Sequence, residues 1–257
     1  MRGPWERASG GLNVVWLGPD AVIKCYLPRD ADEARYERDA LRAIAGRVPA
    51  PVPEILAEGE VDGWPWVALS RLRGTPLLES GLDRTGRLRA AHQAGEWLAA
   101  LHAIAAPPSI AARRPNFARW LLDAWPDTRE RHLHEGLATA IVDASPERVA
   151  AMGLTVGDAV FAHADLHDEN LLVDEHGKLT GVLDFGDAAV APIAFDLVAP
   201  VVHVGRGDRA VIDAIFAGLG RAVNRRDVAA HALLHPWAEL AAFGVKDLDA
   251  LLVKLGA

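Results

Sequence analysis

The feature that most constrains the fold of this chain is a change of hydrophobic pattern near Gly74. Before this glycine, short runs rich in β-branched and aromatic residues alternate with turn sequences such as Val61-Asp62-Gly63, a pattern typical of hairpin strands. The predicted strands are Asn13–Leu17, Ala21–Leu27, Ile55–Glu60 and Trp66–Leu72. Between them, apolar residues at helical spacing predict one helix, Asp32–Ala45, which Gly46 ends. The first part of the chain is therefore predicted to be a small antiparallel sheet with a single helix.

After Gly74 the apolar residues recur mainly at helical spacing. The predicted helices are Arg84–Ile104, Asn116–Trp125, Asp127–Ile141, Asp208–Leu219 and Val228–Phe243. Short strands return at Ala159–His163, Asn170–Val173 and Leu179–Leu183. The chain is therefore predicted to have an α+β fold of two lobes, with a small antiparallel-sheet lobe over residues 1–73 and a larger helical lobe over residues 74–257.

The acidic residues of the chain are concentrated in one segment. Between Ala151 and Pro200 there are nine acidic residues and one basic residue, so this stretch accounts for the whole net charge of −8. The acids are Asp158, Asp165, Asp168, Glu169, Asp174, Glu175, Asp184, Asp187 and Asp196. Some of them can cap turns, but together they predict a metal site or a cationic partner. The acidic balance argues against a nucleic-acid-binding protein.

The chain shows no sign of a membrane or disulfide-bonded protein. No apolar run approaches the roughly 18 residues that cross a bilayer, and Met1–Gly10 lacks the apolar stretch of a signal peptide. The single cysteine, Cys25, cannot form an internal disulfide. We therefore expect a cytoplasmic protein without membrane contact, and either a monomer or a homodimer fits this composition.

The segment with the most chemical information runs from His163 to Val173 and is followed by Asp184-Phe185-Gly186. An apolar strand leads into a polar loop, and the return strand of the next hairpin ends at an aspartate. Phosphoryl transfer requires an aligned acceptor hydroxyl and a metal that neutralises the triphosphate. A carboxylate for the hydroxyl, with a second carboxylate and an amide oxygen for Mg²⁺, is a sufficient set. Asp165, Asn170 and Asp184 could supply it.

This segment resembles the signature of the aminoglycoside phosphotransferase and choline kinase-like family, whose members are related to the protein kinases. That signature is His-Gly-Asp-x-x-x-x-Asn followed, after a hairpin, by Asp-Phe-Gly. The resemblance implies a bilobal protein-kinase-like fold, with a nucleotide-binding N-terminal lobe and a C-terminal lobe that carries the catalytic loop and the acceptor site. It also implies that Asp165 is the catalytic base, that Asn170 and Asp184 bind Mg²⁺, and that ATP is the co-substrate.

Lys24 in Val22-Ile23-Lys24 resembles the strand lysine of kinases, which contacts the α- and β-phosphates and pairs with a helix glutamate. Glu37 is the expected partner, since it shares a helix face with Leu41. Glu33, one turn earlier on the same face, is the rival candidate.

Further segments resemble other parts of the family's nucleotide site. Ser9-Gly10-Gly11-Leu12-Asn13 has the position of the phosphate-covering loop, so Gly10, Gly11 and Asn13 are expected to approach the phosphates. The resemblance of Leu69–Gly74 to the hinge implies that backbone atoms of Ser70 and Leu72 bind adenine. Asp196 matches an aspartate that braces the catalytic loop.

The sequence also departs from the family pattern and leaves two other interpretations open. Ala164 stands where glycine is common, and no Ala-Pro-Glu or long activation segment follows Asp184, which argues against a protein kinase. The alternation of His163, Asp165 and His167 would suit a transition-metal site of a hydrolase or oxygenase. A third possibility is a kinase fold that binds a nucleotide or partner without catalysis.

The acceptor is expected to be a cationic small molecule, because negative charge surrounds the predicted centre. An aminoglycoside antibiotic is the first candidate, which would make the chain a resistance-type enzyme. Related enzymes also act on choline and other amino alcohols, homoserine, fructosamines and macrolides, and acidity alone does not separate these acceptors. Trp120, Trp125 and Trp237 in the helical part could either stack on the acceptor or belong to the core.

Overall fold

The computed structural model describes residues 4–8, 13–139, 142–143, 145–146, 159–241, 243–245 and 248–257. Its first five strands form one antiparallel sheet in the order β1-β2-β3-β5-β4. These strands are β1 Glu6–Arg7, β2 Val14–Leu17, β3 Ala21–Cys25, β4 Ile55–Val61 and β5 Trp64–Ser70. Helix α1, Ala31–Ile44, lies between β3 and β4 in the chain. We call this unit the sheet lobe, and it confirms the predicted small antiparallel sheet with one helix.

Helix α1 is amphipathic, and its buried face packs toward the sheet. The buried residues of the helix are Ala34, Glu37, Ala40, Leu41 and Ile44. The chain leaves the helix at Gly46, whose φ of +68° favours a residue without a side chain. Among the buried residues, only Glu37 is charged, and a buried carboxylate requires a cation or hydrogen-bond donors nearby. The helix therefore directs one carboxylate into the interior of the sheet lobe.

The remainder of the described chain is mainly helical, and we call it the helical lobe. Its helices are α2 Arg84–His102, α3 Pro108–Arg113, α4 Phe117–His134, α5 Ile193–Asp196, α6 Arg209–Leu219, α7 Arg225–Leu234 and α8 Leu248–Leu255. Two small antiparallel sheets accompany them, one formed by β6 Thr75–Pro76, β8 Leu171–Val173 and β9 Leu179–Val182, the other by β7 Ala159–Ala162 and β10 Ala189–Pro192. A small sheet unit is thus followed by a larger helical unit, as predicted.

The helix predictions contain two errors. The predicted helices Asn116–Trp125 and Asp127–Ile141 are instead one helix, α4, which contains Pro126 and ends at His134; residues 140 and 141 lie outside the described residues. A proline removes the hydrogen bond to the carbonyl four residues earlier. That carbonyl belongs to Leu122, which lies on the exposed side of the helix, where water can replace the missing donor.

The predicted helix Val228–Phe243 is the second error. Helix α7 begins three residues earlier, at Arg225, where the Asn224 side chain caps it, and ends at Leu234. Pro236 explains the end, because a proline disfavours helical conformation in the residue before it. The chain beyond His235 therefore continues in turns and not as a helix.

Helices α2 and α6 cross so closely that their backbones meet at two glycines. A Cβ atom at Gly95 would lie 2.1 Å from the carbonyl oxygen of Ile215, and one at Gly218 would lie 1.9 Å from that of His92. Neither contact can be relieved by moving a side chain. The crossing that supports the core of the helical lobe therefore depends on residues without a Cβ.

We expect Gly95→Ala to lower the free energy of unfolding by about 1–3 kcal/mol, the usual cost of overpacking, despite the better helix propensity of alanine. Gly86→Ala in the same helix is the matched control, since its Cβ would meet only the Leu82 side chain, at 3.0 Å. Urea denaturation of both variants measures the difference. Equal stabilities would contradict this account of the crossing.

Besides His163, the described part of the helical lobe contains three buried histidines. His132, His231 and His235 are each 1–2% exposed, and neither ring nitrogen of His231 has a hydrogen-bond partner in the described part of the chain. Burial lowers the pKa of His132 to about 4, and it lowers that of His231 to about 4 as well. Burial also holds the pKa of His235 well below its usual range. The folded protein therefore keeps these rings neutral.

We expect the protein to lose stability as the pH falls from about 6.5 toward 4, since the unfolded chain binds protons at the ordinary histidine pKa and the folded chain does not. At pH 4 each of His132 and His231 would account for about 3 kcal/mol of that loss. Urea denaturation across this range measures it. In His231→Leu the free energy of unfolding should depend less steeply on pH, whereas His176→Gln, on the exposed surface, should leave this pH dependence unchanged. An unchanged pH dependence in His231→Leu would contradict the conclusion that the buried ring is neutral.

Candidate active site

Lys24 on the middle strand, β3, joins the sheet lobe to the loop after β9. Its Nζ atom lies 2.7 Å from Oδ1 of Asp184 and 3.0 Å from Oε2 of Glu37, to which the Tyr26 hydroxyl also donates a hydrogen bond. Burial alone would lower the pKa of Lys24, but the two carboxylates outweigh it and raise the pKa. Lys24 is therefore a buried cation. Its carboxylate partner on α1 is Glu37, while Glu33 lies elsewhere.

The loop after β7 is held in a tight conformation by Asp196. Ala164 has a φ of +68°, which explains why glycine is common at this position of the motif. One carboxylate oxygen of Asp196 accepts a hydrogen bond from the Ala164 backbone N–H at 2.7 Å, and the other lies 2.7 Å from Nε2 of His102. Asp196 is buried. Its contacts are those of a brace for the loop, as the resemblance implied.

His163 is a structural residue and not a metal ligand. Its Nε2 atom lies 3.0 Å from the Leu183 carbonyl oxygen, and its Nδ1 atom accepts a hydrogen bond from the Asp165 backbone N–H at 3.3 Å. The ring is buried against Phe185. Because both nitrogens are engaged, the transition-metal interpretation is wrong. Within the described ranges, no group of three His, Cys, Asp or Glu side chains is arranged to hold a metal ion.

Asp165, His167 and Asn170 form a connected set on this loop. The side-chain nitrogen of Asn170 donates to the Asp165 carbonyl oxygen at 2.9 Å, which leaves its Oδ1 atom for another ligand. Nε2 of His167 lies 3.4 Å from Oδ2 of Asp165. Burial alone would lower the pKa of His167, but its hydrogen bond to Asp165 and the surrounding acidic charges raise it. The imidazole ring thus lies beside a carboxylate that is 28% exposed.

Asp184 lies next to Asn170 because the strand that precedes it is tied to the loop. The Leu183 backbone N–H donates to the Asn170 carbonyl oxygen at 2.9 Å. Asp184 has a φ of +59°, and its Oδ1 atom accepts a hydrogen bond from the Gly186 N–H at 3.2 Å. Burial would raise the pKa of Asp184, but Lys24 outweighs it and the pKa is lowered. Asp184 and Asn170 line one cavity and offer it a carboxylate and an amide oxygen, and such oxygens suit Mg²⁺.

A cavity of about 330 Å³ separates the sheet from the helical lobe. Residues of both lobes line it: Val15, Leu17, Val22, Lys24, Glu37, Pro53, Leu69, Ser70, Arg71, Leu72, Gly74, Pro76, Asn170, Leu172, Leu183 and Asp184. Its apolar walls and its charged end suit a nucleotide, with a flat base between aliphatic side chains and phosphates at Lys24. We call it the nucleotide cavity.

The remaining residues predicted to contact the nucleotide differ in their positions. Ser70 and Leu72 both line the nucleotide cavity, but the Ser70 N–H already donates to the Glu54 carbonyl oxygen at 2.8 Å. An adenine at this point would therefore have to use the Ser70 carbonyl. Asn13 precedes β2, and the lining of the cavity begins only at Val15; Gly10 and Gly11 lie outside the described residues.

A larger cavity of about 560 Å³ opens on the other side of Asp165. Its lining residues are Glu33, Leu78, Asp165, His167, Asp168, Glu169, Asp187, His203, Arg206, Trp237 and Glu239. Six of them are acidic, and the single arginine, Arg206, is already paired with Asp168 at 2.6 Å. We call it the acidic cavity. Its charge suits a cationic molecule.

Several residues of the acidic cavity were not found from the sequence. Asp187 directly follows Asp184-Phe185-Gly186, and its position beside the motif was a signal that could have identified it. His203 and Glu239 carry no motif and reach the cavity only through the packing of the helical lobe. Trp237, one of the three tryptophans considered, lines this cavity and is 42% exposed, because α7 ends before Pro236.

The other two tryptophans belong to the interior of the helical lobe. Trp120 packs on Phe195 and Trp237, and the guanidinium of Arg114 lies 3.8 Å from its ring centroid. Trp125 is partly buried against the core. Only Trp237 is therefore in a position to stack on a molecule in the acidic cavity.

Comparison with known proteins agrees with this geometry. The model of the phosphotransferase enzyme family, APH, matches residues 6–234. The chain belongs to the phosphotransferase enzyme family. Membership confirms the predicted family and the predicted enzyme class, a phosphotransferase with an alcohol group as acceptor. In the described part of this phosphotransferase, no helix is both long and apolar enough to cross a membrane.

Solved structures of other phosphotransferases share its fold. The GDP and kanamycin complex of APH(2")-IIIa has a TM-score of 0.70 and 19% identity, covering 98% of this chain and 91% of that one. The macrolide 2'-phosphotransferase MphH from Brachybacterium faecium has a TM-score of 0.62 and 23% identity, with coverage of 98% and 91%. The streptomycin–ATP ternary complex of APH(2")-IIa has a TM-score of 0.64 and 14% identity, with coverage of 97% and 93%. The predicted bilobal kinase-like α+β fold is confirmed.

Proposed function

We propose that this phosphotransferase moves the γ-phosphoryl group of ATP to a hydroxyl of a cationic small molecule. One observation carries the proposal: Asp165 opens onto the acidic cavity, while Asn170, five residues later on the same loop, lines the nucleotide cavity. A donor in one cavity and an acceptor in the other would meet at this loop. That is the arrangement that in-line phosphoryl transfer requires.

The nucleotide cavity would bind ATP through both of its ends. Lys24 is a buried cation and would bind the phosphates, with Glu37 holding its orientation at 3.0 Å. The Ser70 carbonyl oxygen and the Leu72 N–H would face adenine, and Gly10 and Gly11 would cover the phosphates. We assign the acceptor site and catalytic loop to the lobe after residue 73, and the nucleotide-binding unit to residues 1–73.

Mg²⁺ fits the oxygen pair formed by the Asp184 carboxylate and Asn170 Oδ1, because hard cations prefer such ligands. When bound, it would neutralise charge on the triphosphate. Lys24, whose Nζ atom lies 2.7 Å from Asp184, already offsets the negative charge of this carboxylate. Two protein ligands would leave coordination positions for phosphate oxygens and water.

Asp165 would orient the acceptor hydroxyl and accept its proton. His167, 3.4 Å from Oδ2, carries a raised pKa and would help to hold the carboxylate in its orientation. The loop backbone is fixed by Asp196 through the Ala164 N–H, so the carboxylate would be positioned before the acceptor binds. The base and the groups that would orient it thus lie on one loop or in contact with it.

An aminoglycoside is the first candidate acceptor, because its ammonium groups match the six acidic residues of the acidic cavity. A kanamycin complex and a streptomycin complex are among the structures with this fold, as is a macrolide phosphotransferase. Choline and other amino alcohols, homoserine, fructosamines and macrolides remain alternative acceptors. A non-catalytic binding module is less well supported, since Lys24, Asp165, Asn170 and Asp184 converge on the two cavities.

A coupled ATP-consumption assay tests the proposal. The panel contains kanamycin-like and hygromycin-like aminoglycosides, choline, homoserine, a fructosamine and a macrolide. We expect acceptor-dependent ATP consumption, with an aminoglycoside giving the highest rate, and its loss when EDTA removes the divalent cation. Restoring Mg²⁺ should restore the rate. Absence of acceptor-dependent consumption across the panel would contradict the proposed function.

A further inference from the structure

Glu33 is the residue through which the sheet lobe reaches the acidic cavity. The other residues that line this cavity, as far as the chain is described, all follow residue 77. Glu33 lies on α1, one helical turn before Glu37, and residues four apart share a helix face. Glu37 in turn contacts Lys24 at 3.0 Å in the nucleotide cavity. One helix thus carries a carboxylate to each of the two cavities.

The carboxylate of Glu33 is not paired directly with a cation among the described residues, and the charges of Arg113 and Lys24 act on it without an ion pair. In the described ranges it makes no hydrogen bond or ion pair, whereas Asp187 lies 3.4 Å from Arg114 and Asp168 lies 2.6 Å from Arg206. Burial, followed by the charges of Asp187 and Asp30, raises the pKa of Glu33. An ammonium group in the cavity would relieve this excess of negative charge.

Helix α1 also rests on the helical lobe through α3. The Ser109 hydroxyl donates to Oδ2 of Asp39 at 2.5 Å, and the guanidinium of Arg113 lies 4.5 Å from the ring centroid of Tyr36. Arg113 also donates to the Ala188 carbonyl oxygen at 3.0 Å, four residues after Asp184. The position of α1 against the loop that carries Asp184 is therefore set by contacts along the helix. A molecule bound between Glu33 and the helical lobe would add one more such link.

We propose that Glu33 binds an ammonium group of a polycationic acceptor and that α1 transmits this contact to Glu37 and Lys24, so that acceptor and nucleotide bind with positive coupling. The inference rests on the proposed function, since it takes the acidic cavity as the acceptor site. Coupling between two ligands is reciprocal, so each would raise the affinity of the other by the same factor. Glu33 would thereby select acceptors by charge and couple their binding to that of ATP.

Calorimetric titration of the full chain with the magnesium complex of the unreactive ATP analogue AMP-PNP tests this, with and without kanamycin as the polycationic probe. For the wild type, kanamycin is expected to tighten AMP-PNP binding about tenfold, within the usual range of coupling. Glu33→Gln keeps the shape of the side chain and removes its charge. It should weaken kanamycin binding about tenfold and abolish the tightening, while AMP-PNP binding alone stays at the wild-type value.

Two further variants separate this role from a structural one. Asp32→Asn removes a charge at the neighbouring position, where Asp32 is exposed and contacts Arg35 at 2.9 Å, and it should behave as the wild type. Glu33→Asp keeps the charge and should retain part of the coupling. Persistence of full coupling in Glu33→Gln, or failure of kanamycin to bind the wild type, would overturn the inference. No phosphoryl group is transferred in this titration, so the acceptor panel judges the proposed function separately.

Discussion

Replacing Asp165 with alanine is expected to lower turnover by about a thousand-fold, the middle of the range for loss of a general base. Asp165 lines the acidic cavity, and the loop that carries it is held by Asp196 through the Ala164 N–H at 2.7 Å. The substitution removes the group that would orient the hydroxyl and accept its proton. It leaves Lys24, Asn170 and the walls of the nucleotide cavity in place, so AMP-PNP should bind with near wild-type affinity.

Glu169→Ala is the matched control for Asp165→Ala. Glu169 is an exposed acid of the same loop and lines the same cavity. Its loss should raise the KM for a cationic acceptor by several-fold and leave kcat within a few-fold of the wild-type value, because it removes attraction and not the base. Steady-state kinetics in the coupled assay measures both variants. Near-normal kcat in Asp165→Ala would show that another group performs the proton transfer.

Replacing Asp184 with asparagine is expected to lower turnover by at least about a hundred-fold, comparable with the loss of one group that stabilises transition-state charge. Asparagine keeps the shape of the side chain but removes the charge that contacts Lys24 at 2.7 Å and that would hold Mg²⁺. The concentration of Mg²⁺ needed for half-maximal rate should rise. A Mg²⁺ titration of the remaining activity measures this.

Asp187→Asn is the control for Asp184→Asn, since it makes the same chemical change three residues later. Asp187 lines the acidic cavity and lies 3.4 Å from Arg114, so its loss should alter the KM for the acceptor and leave the Mg²⁺ requirement unchanged. If Asp184→Asn showed the Mg²⁺ requirement of the wild type, Asp184 would not be a metal ligand.

Much of the candidate site could be predicted because its residues occur in short, ordered segments of sequence. Lys24 belongs to a strand whose apolar residues were recognisable in the sequence, and helical periodicity limited its partner on α1 to two glutamates of one face, Glu33 and Glu37. Asp165 and Asn170 lie on one loop, five residues apart. Local pattern and motif spacing were sufficient in these cases, since neighbouring residues fix the geometry.

The remainder depends on contacts between distant parts of the chain. Strand β10 is four residues long and forms only by pairing with β7, so its own sequence carries little signal. The short helix α3 is stabilised by contacts such as that of Ser109 with Asp39, seventy residues apart. Glu239 reaches the acidic cavity because Pro236 redirects the chain after α7. Tertiary packing, which periodicity does not encode, decides each of these features.

Glu33 and Glu37, the two candidate partners of Lys24, also show where local sequence is sufficient and where tertiary packing decides. The sequence located both on one face of α1, but only the packing of α1 on the sheet decides which carboxylate lies within 3.0 Å of Lys24. The other, Glu33, lies at the acidic cavity, a position that no motif or periodicity predicted. A one-turn difference along a helix thus separates a nucleotide-site residue from an acceptor-site residue.

Mass spectrometry of the acceptor after incubation with ATP and Mg²⁺ tests the central claim most directly. The account predicts that the wild-type protein yields an acceptor heavier by one phosphoryl group, with one ATP converted to ADP for each product molecule, and that Asp165→Ala yields none in the same time. ATP hydrolysis without a phosphorylated acceptor, or equal product from Asp165→Ala, would contradict the claim that Asp165 directs phosphoryl transfer to a hydroxyl.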